Sequence, residues 1–155
     1  MAKSIVSQVQ LLPRTEDSAP WEAADHQLVP INLKRYGYVE EEYLYSGKAN
    51  VYTLKNGRAE IKTENADYTN RFILRKPENP AKFSGNVIVE LLNSTNSWDV
   101  SPMWCLLWQK MLQEGDIYIG VTVRAICTKA LKTFDPNRYE TVSYTHLTLP
   151  TICSV

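Results

Sequence analysis

Val87-Ile88-Val89-Glu90-Leu91-Leu92, then the polar Asn93-Ser94-Thr95-Asn96-Ser97, then Ser101 through Gly115, then Ile117-Tyr118-Ile119-Gly120-Val121-Thr122-Val123: this run decides the fold. Its first and last segments are nearly continuous in branched apolar residues, the pattern of strands covered on both faces. Between them Ser101 stands as an N-cap, Pro102 falls in the first turn and Gly115 lies just past the end, which predicts a helix. Met103, Trp104, Leu107, Trp108, Met111 and Leu112 fill one arc of that helix, with Gln109, Lys110, Gln113 and Glu114 opposite. Strand, helix, strand is a βαβ unit, and a parallel pair with a right-handed crossover is expected.

Upstream, the period changes. Tyr38–Tyr45 sets acids between aromatic and branched residues, Gly47 marks a turn or bulge, and Ala49–Leu54 continues extended. Lys55-Asn56-Gly57-Arg58 is a hairpin turn, because Asn-Gly tolerates the positive φ that tight hairpins need. Tyr68–Lys76 is a further strand, stopped by Pro77 and Pro80. Ile5-Val6, Val9 and Leu11-Leu12 fit one edge strand, and Ser18-Ala19-Pro20-Trp21 reads as a turn with an aromatic anchor. An antiparallel meander therefore feeds a parallel, helix-covered sheet.

Composition narrows the function classes. The chain has 155 residues, with Lys+Arg 17 against Asp+Glu 17, 44% hydrophobic and 22% charged. These are globular values, and the length suits one domain. Balanced charge leaves no electrostatic footprint for nucleic acid, and no apolar run approaches the roughly 20 residues of a membrane span. The start, Met1-Ala2-Lys3-Ser4, leads into no apolar signal core, so a cytoplasmic protein is expected. Cys105, Cys127 and Cys153 are odd in number and widely spaced, fitting neither a disulfide framework nor a metal site. No cofactor and no metal are expected.

All the Asp, Glu, Lys and Arg residues lie before Val142; Val142–Val155 contains none of them. As protein, Val142–Leu149 reads as a half-buried strand closed by Pro150. As DNA, GTC TCT TAT ACA CAT CTG ACG CTG CCG ACG encodes Val142 through Thr151, and that string resembles the end of a transposon-type sequencing adapter. A variable index then supplies Ile152, Cys153 and Ser154, and GTG TAG gives Val155 and a stop. The expected organisation is one incomplete domain over residues 1–140 and a non-native tail over 141–155.

Antiparallel strands followed by strand, polar loop, helix and strand is how an α/β-hydrolase begins. Gln27–Pro30, Tyr36–Tyr43, Ser46–Tyr52, Tyr68–Pro77, Val89–Asn93, Gly115–Val123 and Ala130–Tyr139 together resemble a bacterial α/β-hydrolase-domain family across most of Ala19–Glu140. The resemblance implies an α/β fold of which this is the N-terminal part. It implies a Ser nucleophile on a strand-to-helix elbow, followed in the chain by an acid and then a His. No G-x-S-x-G occurs; Ser46 and Ser84 precede glycines but lack one two positions earlier, and His26 comes too early in the chain. The nucleophile, acid and His are expected beyond Glu140, so this chain by itself is expected to be inactive. In the family the loop after the first parallel strand supplies an oxyanion N–H, which by position makes Asn93 and Ser94 the candidates; the family's glycine-rich loop is not matched here, and an ordinary polar βα loop is the alternative.

The expected function is that of a serine-type, esterase-like hydrolase acting on a small-molecule acyl substrate. The alternatives are a non-catalytic protein of the same fold and an unrelated βαβ small-molecule binder. Other residues carry simpler expectations. Glu90 is paired, since a lone buried carboxylate is costly. Glu40-Glu41-Glu42 is a solvated strand edge. Arg124 makes a salt bridge, Trp104 and Trp108 pack in the core, and Cys105 and Cys127 are inert thiols.

Overall fold

A computed structural model describes residues 5–143. Five strands form one sheet in the order β1-β2-β3-β5-β4: β1 (Ile5–Leu12), β2 (Tyr38–Lys55), β3 (Arg58–Pro77), β4 (Val87–Leu91) and β5 (Ile117–Val121). Three helices follow the strands, α1 (Pro102–Glu114), α2 (Ala125–Phe134) and α3 (Pro136–Tyr139). β1, β2, β3 and β5 pair antiparallel in turn, and β4 pairs parallel with β5. The β4-α1-β5 unit is therefore the expected parallel pair with its helical crossover. Of the expected tail, Thr141–Ser143 is described and Tyr144–Val155 lies outside the described residues.

The long hairpin β2-β3 turns on Asn56 at φ 51° and Gly57 at φ 75°, the left-handed pair that the Asn-Gly signal requires. β2 does not break at Gly47. Instead β1 crosses there with a register shift between Val6 and Gln8, and a Cβ at Gly47 would meet the Ile5 carbonyl oxygen at 1.8 Å. The glycine admits the neighbouring strand.

Register sorts the side chains onto two faces. Glu40, Glu42 and Leu44 stand opposite Arg75, Ile73 and Arg71, which continue into Tyr118 and Gly120 and then Ile88 and Glu90. This face lies under the helices. One core gathers Tyr38, Ile73 and Tyr118 with Trp104, Met111 and Leu112 of α1. A second gathers Trp21, Leu44 and Val142 with Cys127, Leu131 and Tyr139 of α2 and α3.

Three expectations are corrected here. β4 is covered on one face only: Val87, Val89 and Leu91 are 50%, 58% and 68% exposed, so continuous apolarity does not mean two-sided burial in this strand. The apolar arc of α1 is only partly used, since Trp104, Met111 and Leu112 are buried while Met103 and Leu107 face outward. Finally, Glu40-Glu41-Glu42 is no solvated edge. β2 is flanked by β1 and β3, and Glu42 is fully buried, 3.0 Å from the Arg71 guanidinium and 2.6 Å from that of Arg138. Glu40 pairs with Arg75 at 2.7 Å and Glu41 with Lys76 at 2.8 Å.

Candidate functional site

The parallel pair ends its strands side by side, and the loops leaving β4 and β5 open a crevice at that end. Leu92 extends the ladder by one bond, its N–H donating to Val121 O at 2.9 Å. Asn93 and Val100 then exchange two backbone hydrogen bonds of 2.8 Å, pinching off the loop Ser94–Asp99. Inside it the Asn93 side-chain oxygen accepts the Thr95 N–H at 2.8 Å, and a single helical turn spans Thr95–Ser97. Ser97 leaves that turn at φ 60°.

The two candidate oxyanion donors come out differently. The Asn93 N–H is spent on Val100, whereas the Ser94 N–H has no acceptor among the described residues. Ser94 is half-buried at the strand end, where a backbone donor held by its neighbours loses little freedom on meeting an anion.

Beneath the loop, buried charges hold it in place. Asp99 is fully buried, accepts from the Thr122 hydroxyl and lies 3.4 Å from Arg71 Nη1. Arg71 also donates to Trp21 O at 2.8 Å, tying the N-terminal segment to the sheet. Burial, reinforced by Asp99, pushes the Cys127 thiol up to about 12, so it carries no thiolate at neutral pH. Cys105 is exposed.

Glu90 explains how α1 is aimed. Ser101 occupies the N-cap position but makes no side-chain cap bond. The Glu90 carboxylate, from β4, accepts the N–H groups of Met103 at 2.8 Å and Trp104 at 3.2 Å, and the Tyr118 hydroxyl at 2.6 Å. An anion at a helix N-terminus meets unpaired N–H groups and the positive end of the dipole. Glu90 is paired, as expected, and its role is positioning.

A cavity of about 550 Å³ lies between the β4–α1 loop and α2, walled by Trp21, Trp98, Ile126, Ala130 and Phe134 with Lys129 at its rim. Trp21 and Trp98 meet edge to face at 4.9 Å. The Trp98 indole N–H donates to Glu22, which sits at φ 65°. Burial raises the Glu22 carboxyl above its ordinary range, against the pull of Arg71 and Arg75. Trp104 is fully buried and Trp108 half-buried against α1's own core, as expected, whereas Trp98 lines the crevice.

No triad assembles among the described residues. His26, the one described histidine, is exposed, with Nδ1 2.9 Å from Asp25 and 3.5 Å from Arg14. Ser46 shares a hydrogen bond with Thr69, and Ser84 donates to Asp116 at 2.6 Å. Arg124 starts α2, faces solvent and makes no ion pair with a described residue, so the expected salt bridge is absent there. No group of three or more His, Cys, Asp or Glu among the described residues could hold a metal ion. None of the described helices is long and apolar enough to cross a membrane.

Sequence reasoning passed over α2, although Cys127, Ala130, Leu131 and Phe134 repeat at helical spacing. Its N-cap is Arg124, which gives no start signal. It also passed over Glu22 and Asp99, whose roles depend on partners 49 and 28 positions distant, Arg71 among them.

A family model described as an alpha/beta hydrolase domain matches residues 7–151. No curated protein and no solved structure matches the chain. The match spans nearly the whole sequence and agrees with the meander, the parallel pair and the crossover helix, and the chain therefore belongs to the alpha/beta-hydrolase-domain family.

Proposed function

We propose that this chain is the N-terminal part of a serine-type α/β-hydrolase whose whole form cleaves acyl bonds of small molecules, esterase fashion. The observation that carries the reading is the Ser94 N–H, without an acceptor among the described residues, at the carboxyl end of β4 in the loop whose Ser97 and Trp98 line an apolar cavity. In the whole enzyme a Ser would attack the acyl carbon, a His would take and return the proton, and Ser94 would donate to the developing oxyanion. The chain as it stands supplies the oxyanion side and the cavity; the remaining groups would come from beyond Glu140.

Support for a missing remainder comes from β4, whose outer edge is unpaired and whose outer face is bare among the described residues. The resemblance of Val142–Thr151 to a translated adapter points the same way. Two observations favour a native continuation instead: the family match runs to residue 151, and Val142 is fully buried while Ser143 N–H donates to Thr69 O at 2.8 Å. Burial alone does not decide between the two, since any apolar residue following Tyr139 would gain by it.

Sequencing the source DNA across Glu140 is the test. A strand, G-x-S-x-G and helix, followed by an acid and a His, supports the enzyme. A completed sheet without that Ser favours the second reading, a non-catalytic binding protein of the same fold, for which the cavity is the supporting feature. The unrelated βαβ alternative falls with the family match. Purified, the 155-residue chain is expected to leave p-nitrophenyl acetate uncleaved. Turnover abolished by a serine-directed inhibitor would place the nucleophile inside this chain and overturn the proposal.

A further inference from the structure

We infer that the cavity between the β4–α1 loop and α2 is a binding site for small carboxylates with an aromatic or branched apolar body. Its volume, about 550 Å³, falls inside the roughly 300–1,000 Å³ of small-molecule sites. Its walls are apolar, and Trp98, Ile126 and Phe134 are 48%, 49% and 52% exposed there, a concentration of large side chains left uncovered on one crevice. Trp21 and Trp98, edge to face, and Phe134, stacked on Trp21 at 6.4 Å, form a rigid aromatic wall suited to a flat apolar group.

Charge selects the other end of the ligand. Lys129 is the one ionisable residue lining the cavity, and it makes no ion pair with a described residue. Glu22 accepts the Trp98 indole N–H and is not among the lining groups, so no carboxylate lining the cavity competes for the ammonium. An apolar body against the indoles with an anion at the rim satisfies both. The cavity is the one the proposed hydrolase would use, so the inference deepens that reading, but it concerns binding alone and its test needs no turnover.

The experiment titrates the whole chain with 4-phenylbutyrate and with its neutral amide, 4-phenylbutyramide, reading saturation-transfer NMR from ligand protons. Both are expected to bind, the carboxylate roughly three- to fivefold tighter, the range of one exposed ion pair. Lys129→Gln should bring the carboxylate to the affinity of the amide and leave the amide unchanged; Lys129 is exposed, so the fold tolerates the change. Ile126→Glu, also at an exposed position, should make the amide the better ligand. Absence of saturable binding by either compound overturns the site. Equal affinities for the two in the unmodified chain, or indifference to both substitutions, overturns the role of Lys129 and with it the assignment to carboxylates.

Discussion

The two faces of the sheet reverse the usual rule for polar and apolar residues. The helix-covered face buries Glu42, Arg71, Arg75 and Glu90, while the opposite face of β4 leaves Val87, Val89 and Leu91 in the open. Burying charge is tolerable because each one is answered: Glu42 by Arg71 and Arg138, Glu90 by two helix N–H groups and a phenol. Arg75 adds a planar contact, its guanidinium 4.1 Å from the centroid of Trp104 and 5.3 Å from that of Tyr118. The difference teaches which side is finished. In β4, matched charges mark the covered face and exposed apolar side chains the uncovered one.

The sharpest way to break the comparison is to unmatch a buried charge. Glu42→Ala leaves Arg71 and Arg138 facing each other across an empty site and should cost about 3–5 kcal/mol in denaturant unfolding. A loss below about 1 kcal/mol would mean that water already reaches the pair and that this face is not closed. Glu90→Ala follows with about 2–3 kcal/mol, since it uncaps α1 and orphans the Tyr118 hydroxyl. Ser101→Ala should cost little by comparison, because that side chain makes no cap bond. If the serine costs more than the glutamate, the cap has been assigned to the wrong residue.

These pairs also show what a sequence can and cannot carry. Local signals were legible: Asn56-Gly57 as a hairpin turn, Gly115 ending α1 at φ 86°, and the apolar runs of β4 and β5 as parallel neighbours. The position of Ser94 after β4 was legible too, but which amide of the loop stays free depends on Val100 folding back onto Asn93. The acid run Glu40–Glu42 misleads because a strand's neighbours are set by topology: β1 reaches Glu42 from 30 residues upstream, and Glu40 and Glu41 find Arg75 and Lys76 on β3. The cavity was out of reach for the same reason: Trp21, Trp98 and Phe134 share one wall while lying far apart in the chain.

Smaller effects belong to the bare face. Val89→Lys should change stability by no more than about 0.5 kcal/mol and raise the concentration at which the chain remains monomeric in sedimentation. A large destabilisation would show that something covers this face. Two tyrosines refine the contrast. Tyr38, under α1, donates to Met111 O at 3.1 Å and Asp116 O at 3.0 Å, and burial, with Asp116 adding to it, pushes its phenol up to about 12. Tyr43, on the other face, is pushed up to about 12 chiefly by its hydrogen bond to Glu41. In each the folded state favours the neutral phenol. Stability from that source is complete below the unfolded pKa near 10 and lost as pH rises toward about 12.

Tyr38→Phe should therefore cost about 1 kcal/mol at neutral pH and blunt the alkaline decline. Tyr43→Phe should leave neutral stability within about 0.5 kcal/mol, because its half-exposed hydroxyl can trade Glu41 for water. It should still remove one phenol from the late phase of a spectrophotometric titration. Equal stability costs for the two substitutions would erase the distinction between a face closed by matched partners and one still open to solvent.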